Sequence, residues 1–300
     1  MEVLLEETLS NTNNISQIII DTINNLLNTL FSSIDNSVYD LLDKLAFINV
    51  DIFDNSSIEK IFGYNSTNGL LIIANSLLFA VCLYYCFKLL YSHLTGTPIE
   101  RPYQFIFKLL IFGVFINASY FICEFFIYFN SLITAAIRDV GLFIFDEQIS
   151  FSTLIEKLNS TISIDSNTYN IFSFDGLLKS LCSVSFISLI LSYSLRYIMV
   201  KVLILITPFA LLTLINSSTS WFFKAWLKIF LSLLLIQPFI SIILLIFFTL
   251  DFSNSDILSK VLCVGSMYAL IRANSYIHNF IGGISTDISY NFKSLKNKFR

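Results

Sequence analysis

Long apolar runs alternate with short polar ones along most of this chain, but its amino-terminal part follows a different rhythm. Between residues 15 and 45, Ile15, Ile18, Ile19, Ile23, Leu26, Leu27, Leu30, Phe31, Ile34, Val38, Leu41, Leu42 and Leu45 recur at helical spacing. Asn, Asp and Ser fill the opposite face. The pattern predicts one or two amphipathic helices, too polar to span a bilayer, whose apolar stripe must be buried against the interface, a partner or itself. Beyond residue 68 the pattern changes. Five runs, 69–91, 105–128, 176–195, 229–250 and 257–281, reach the ~20 residues a helix needs to cross the hydrocarbon core. A sixth, 202–215, is shorter and contains Pro208, which predicts a re-entrant or interfacial segment.

Composition moves the same picture out of water. Apolar residues make up 55% of the 300 positions and charged residues 13%, against about 25% charged in an ordinary soluble domain. Mean hydropathy is +0.75. The predicted class is therefore an all-α polytopic membrane protein. It has about five transmembrane helices, a short re-entrant segment and an amphipathic helical amino-terminal region. Its predicted parts are 1–68 outside the cytoplasm, 69–128 as spans one and two, and 129–175 as an outside loop. Residues 176–281 form spans three to five, with 202–215 re-entrant, and 282–300 form a basic tail. The opening MEVLLEETLS is acidic, so no secretory leader is expected there.

Charge in the connections orients the spans. Lys88, Arg101 and Lys108 bracket the first short loop, and Arg196, Lys201, Lys224 and Lys228 bracket the 202–215 run. Lys293, Lys296, Lys298 and Arg300 crowd the tail. Residues 1–68 carry ten acids against Lys44 and Lys60, and 138–175 carry six against Arg138 and Lys157. Five crossings with a re-entrant sixth run put every basic cluster on the cytoplasmic side. The expected setting is a bacterial cell membrane, with the amino terminus outside and the carboxyl terminus in the cytoplasm.

Polar residues inside spans are costly and so mark packing or function. In the second span Gly113, Asn117, Tyr120 and Glu124 fall on one helical face. Ser185, Ser188 and Ser192 share a face of the third, the last two at small-xxx-small spacing. Gln237 lies one turn from Ser241 beside Pro238 in the fourth. Arg272 lies near the middle of the fifth, with Ser275, His278 and Asn279 near it. The second-span set reads either as interhelical hydrogen bonding, with Glu124 reaching the outer interface, or as a wet path. The serines read as close helix packing or a channel lining, and Arg272 as snorkelling near the cytoplasmic end or facing a water-filled interior. Trp221 and Trp226, flanking Lys224, are expected to seat the turn at headgroup level.

No catalytic pattern appears: the chain lacks GxxxxGK[ST], HExxH and GxSxG, and no cofactor or metal is expected. Cys82, Cys86, Cys123, Cys182 and Cys263 lie scattered in apolar runs without metal or redox spacing. Nor do the two halves show a clear inverted repeat, the mark of many secondary transporters.

The run LRYIMVKVLILITPFALLTLINSSTSWFFKAWLKIFLSLLLIQPFISIILLIFF, which opens just before Arg196 and ends at Phe248, resembles the TrbL-type polytopic proteins of type IV secretion (conjugation) systems. The features that carry the resemblance are Arg196 ending a span, Pro208 with Phe209 and Ala210, and the small polar turn at 217–220. Trp226 with Lys224 and Lys228, and then Gln237 in a long span, complete it. The similarity covers about fifty residues, with the layout of 1–195 in keeping. The resemblance implies a channel or scaffold subunit of the membrane-embedded translocation complex, helping single-stranded DNA and protein cross the cytoplasmic membrane. It also implies other secretion subunits as partners, including a separate ATPase, and an oligomeric state. Transient contact with single-stranded DNA follows from the same resemblance. Two other classes fit the residues alone: a non-transporting envelope scaffold, and a small-solute transporter.

Overall fold

The computed structural model describes residues 18, 22, 36–53, 56–63, 68–98, 100–154, 157, 174–250 and 257–281. All regular structure among them is helical: α1 (Asn36–Ala46), α2 (Ser56–Phe62), α3 (Leu70–Thr95), α4 (Pro102–Asn117), α5 (Ser119–Phe145), α6 (Phe174–Leu212), α7 (Ser220–Phe248) and α8 (Ile257–Ile281), with 3-10 turns at Val50–Ile52 and Thr213–Ile215. Four of these helices are long and apolar enough to cross a membrane, namely α3, α5, α6 and α7. Large apolar side chains such as Phe79, Phe87, Phe107, Phe125 and Phe143 stand more than half exposed along α3, α4 and α5. In water that much exposed apolar surface is an aggregation liability, whereas a bilayer covers it.

Three boundaries differ from those the apolar pattern predicts. The 105–128 run is divided at Ala118, where α4 ends and α5 begins. Asn117 and Ser119 supply the reason, because short polar side chains compete with the helical ladder. The Asn117 amide donates to the Gly113 carbonyl at 2.8 Å and the Ser119 hydroxyl to the Ile116 carbonyl at 2.5 Å. Gly113 and Asn117 therefore sit on one helix, with Tyr120 and Glu124 on the next. Second, α5 runs on to Phe145 through residues assigned to the outside loop. Its buried positions Cys123, Ile127, Asn130 and Thr134 keep steps of four, three and four, so the helical face continues beyond the apolar run. Third, α6 is one helix of 39 residues with Pro208 inside it. No break separates the third predicted span from the 202–215 run, and a helix of that length is ~58 Å long. The fifth predicted span is formed as α8 but is not among the four.

The described part of the amphipathic region 15–45 is helical over 36–45, within α1. Most of 15–35, most of the 155–173 stretch, the 251–256 loop and the basic tail lie outside the described residues.

Contacts divide the chain into two units: Met1–Ala46 with Ala136–Tyr193 and Phe239–Ala273, and Phe47–Ala135 with Ser194–Pro238 and Asn274–Arg300. In the second, α3 and α4 form an antiparallel hairpin. Gly96 caps α3 in the left-handed conformation (φ 68°) and Pro102 opens α4, the pairing expected of a helix end and a helix start. Tyr85 stacks on Phe105 at 3.8 Å and donates its hydroxyl to the Glu100 carbonyl at 2.6 Å. Lys108 pairs with the Glu100 carboxylate, and Asn75 bonds Asn117 at 3.1 Å. Phe62, Leu71, Ala74, Ile116 and Leu211 form the neighbouring apolar core. Gly63 and Gly69 let α2 approach α3, since a Cβ on Gly69 would lie 2.3 Å from the Gly63 Cα.

In the other unit, Leu42 and Ala46 of α1 are buried, and Asp43 reaches the helical turn at 151–154. Phe151 packs on Tyr193 at 6.0 Å and Phe145 on Phe248 at 6.2 Å. Gly141 admits Ile149 against α5, where a Cβ would stand 1.8 Å from the Ile149 Cδ1.

Candidate functional site

Two prolines organise the most polar interior of the protein. A proline within a helix has no N–H for the carbonyl four residues earlier, and its ring pushes the nearby carbonyls aside. Pro208 in α6 and Pro238 in α7 loosen the backbone there, and each loosened segment is gripped from the other helix. Trp226 of α7 donates its indole N–H to the Leu203 carbonyl of α6 at 3.1 Å. Arg196 of α6 donates its Nε–H to the Leu233 carbonyl of α7 at 2.8 Å. Each bonded acceptor stands one residue ahead of the carbonyl, Ile204 or Leu234, that the proline deprives of its donor, so these bonds tie the two helices together beside the breaks.

A polar side chain precedes each proline, and α5 meets both. The Thr207 hydroxyl donates to the Leu203 carbonyl at 2.9 Å and lies 3.0 Å from the Cys123 sulfur. The Gln237 Oε1 accepts from the Asn130 amide at 3.2 Å, with an Arg196 Nη2 at 3.5 Å. Arg196 is fully buried (0% exposed). A buried guanidinium needs such acceptors, because a charge left without them in an apolar interior is costly.

The reciprocity has a sequence basis. Leu203–Phe209 reads LILITPF and Leu233–Phe239 reads LLLIQPF, thirty residues later. Arg196 and Trp226 stand twelve residues ahead of the two prolines, also thirty apart. Arg196 meets Leu233 while Trp226 meets Leu203, which is the contact pattern of a local two-fold between antiparallel helices. This short repeat is the signal that periodicity by halves passes over.

Two expectations are corrected here. Arg196 does not end a span beside a basic loop, because α6 continues past it and buries it. Trp226 is not at an exposed interface. It is 4% exposed, stacked on Phe230 at 5.2 Å and packed by Phe223 at 5.6 Å. Trp221, at 67% exposed, does stand free on the surface. Lys224 and Lys228 are exposed, and Lys201 lies over the Tyr197 ring at 4.5 Å.

The remaining polar positions are not gathered into one stripe. Asn117 bonds Asn75 and the Gly113 carbonyl. Tyr120 meets the edges of Phe53 and Phe62 at 4.9 and 5.2 Å. Glu124 lines a cleft with Asn49 and Val50. Ser185 donates to the Leu181 carbonyl of its own helix at 2.7 Å, Ser188 is half-buried, and Ser192 is buried. Arg272 donates to the Tyr268 hydroxyl one turn back at 3.0 Å, its guanidinium 5.3 Å from that ring. Asn279 is exposed, and the His278 side chain is outside what the structure describes. Among the described residues no group of three or more His, Cys, Asp or Glu side chains is placed to hold a metal ion.

Sequence patterns also passed over Asp43. Its carboxylate accepts the Phe151 N–H at 2.9 Å and the Ser152 hydroxyl at 3.0 Å. Burial pushes its pKa above the usual 3.8, against the opposing pull of those hydrogen bonds and of Arg138.

Compared with known protein families, curated proteins and solved structures, the chain matches none.

Proposed function

We propose that this protein is a membrane-embedded channel or scaffold subunit of a conjugative type IV secretion system, acting with a separate ATPase and other secretion subunits. The observation that carries the reading is the TrbL-like block that opens just before Arg196 and ends at Phe248. Its quoted features are the residues that tie α6 to α7: Arg196 and Trp226 supply the donors, and Pro208 and Gln237 mark the receiving segments. The proposed role is to brace the translocation path. The polar groups of the block spend hydrogen bonds on the α6 and α7 backbone and on α5, which suits a rigid wall of helices. The basic side chains Lys224 and Lys228 stand free to meet an ATPase or the phosphate backbone of a transiently bound single strand. The proposed setting is a bacterial cell membrane, amino terminus outside and carboxyl terminus inside.

A second reading, a non-transporting envelope scaffold, is favoured by the same satisfaction of the buried polar groups and by the Asn75–Asn117 pair. Mating transfer after deletion of the gene separates the two, because a scaffold unconnected with conjugation leaves transfer intact. Crosslinking the transferred strand to photoreactive residues at Lys224 and Lys228 tests the nucleic-acid contact itself. A crosslink supports passage along this face, and none confines the subunit to bracing.

A further inference from the structure

A cleft of about 580 Å³ opens beside the start of α5. Phe121, Glu124, Phe125 and Tyr128 line one wall, and Asn49 and Val50 at the 3-10 turn line the other. Glu124 is half-buried. Among the described residues its carboxylate has no hydrogen-bond donor and no cation, the two ion pairs there being Lys108–Glu100 and Lys157–Glu147. A half-buried carboxylate beside an apolar wall, with no counter-ion among the described residues, is best complemented by a cation. The cleft is therefore selective by sign: an anion is repelled, and an uncharged apolar occupant strips the carboxylate further without compensating it.

The donor set then separates one cation from another. A metal ion needs several hard or imidazole ligands, and one carboxylate beside three aromatic rings offers too few. An organic ammonium is matched on both counts, by the carboxylate through charge and by the rings through their electron-rich faces. Phe121, Phe125 and Tyr128 are each about half exposed or more, so their faces are open to such a group. The cleft also meets the polar segment around Asn49 on one side and the apolar flank of a membrane-length helix on the other. We propose that this cleft binds an organic ammonium group, with Glu124 supplying the counter-charge and Phe121, Phe125 and Tyr128 the π faces. The inference does not depend on the secretion reading.

The test uses full-length protein in maltoside micelles and the midpoint of thermal unfolding. Ethanolamine and choline supply free ammonium, dioctanoyl phosphatidylethanolamine supplies it on a lipid, and dioctanoyl phosphatidylglycerol is the control lacking it. Saturable stabilisation by an ammonium compound, without a matching effect of phosphatidylglycerol, is the predicted result. Glu124→Gln should raise the half-saturating concentration at least tenfold, and Phe125→Leu, which keeps apolar volume but removes a π face, several-fold. A response to ethanolamine or choline means the free group suffices, and a response to phosphatidylethanolamine alone assigns the site to a lipid headgroup. No stabilisation by any ammonium compound, or equal stabilisation of wild type and Glu124→Gln, overturns the proposal. Should Glu124→Gln fail to fold, Phe125→Leu decides: an unchanged half-saturating concentration overturns it.

Discussion

Arg196 and Trp226 hold each other's helix. The guanidinium of Arg196 on α6 reaches the Leu233 carbonyl of α7, and the indole of Trp226 on α7 reaches the Leu203 carbonyl of α6. Each acceptor lies five residues ahead of a proline, in the segment where the helical ladder is weakest. The pair thus ties the two helices together beside their prolines. Each helix thereby receives an interhelical hydrogen bond about one turn ahead of its proline.

Arg196→Leu should destabilise this interior. It removes the donor to Leu233 and the contact to Gln237, leaving neutral acceptors unmet in the interior at a cost of ~1–3 kcal/mol. Arg196→Lys keeps the charge but not the planar fork, so it should recover only part of that loss. Unfolding of the purified variants in micelles reads both.

Trp226→Phe keeps ring packing on Phe230 and Phe223 and deletes the bond to Leu203. The expected cost is ~1 kcal/mol, that of one net hydrogen bond. Trp226→Ala loses the packing too and should cost ~3–5 kcal/mol. Similar losses for both variants would mean that the indole bond, rather than the stack, carries the contact.

A double-mutant cycle on Asn130→Leu and Gln237→Leu should return a coupling of ~0.6 kcal/mol, the scale of interhelical hydrogen bonds in membranes. Zero coupling would mean that the Asn130 amide does not help to hold Gln237.

Asp43 makes one pH dependence. Its folded-state pKa is raised above 3.8 by burial, so the folded state binds the proton more tightly than the unfolded one. That contribution to stability is full below pH 3.8 and is lost as pH rises through the raised folded value. Asp43→Asn cannot titrate. The stability of wild type relative to Asp43→Asn should therefore fall as pH rises above 3.8, measured as unfolding midpoints, and the opposite slope would contradict the assignment.

The helical class, and the burial of an apolar face in α1, follow from periodicity because that signal is local. So do the cores of α3, α7 and α8. The boundaries did not. Asn117 and Ser119 end a helix through side-chain bonds to their own carbonyls, inside a run whose hydropathy never falters. Arg138 and Asp139 look like loop residues, yet Arg138 turns its Nε–H to the Ile149 carbonyl at 2.8 Å while α5 continues. Gln237 and Arg196 were visible as polar residues in apolar surroundings, but their pairing joins positions 41 apart. Only the LILITPF and LLLIQPF repeat pointed to that pairing, and it is seven residues long. Asn130 and Cys123 carried no signal of their own, because each matters through the polar residue it faces across two helices.

The central claim is a part in conjugative transfer, and the most direct measurement is mating frequency from a donor deleted for this gene, with and without the wild-type gene restored. The account predicts that transfer is lost on deletion and returns on complementation, and that Arg196→Leu restores it far less well than wild type. Transfer at the wild-type frequency from the deleted donor would contradict the account and leave the envelope scaffold as the better reading.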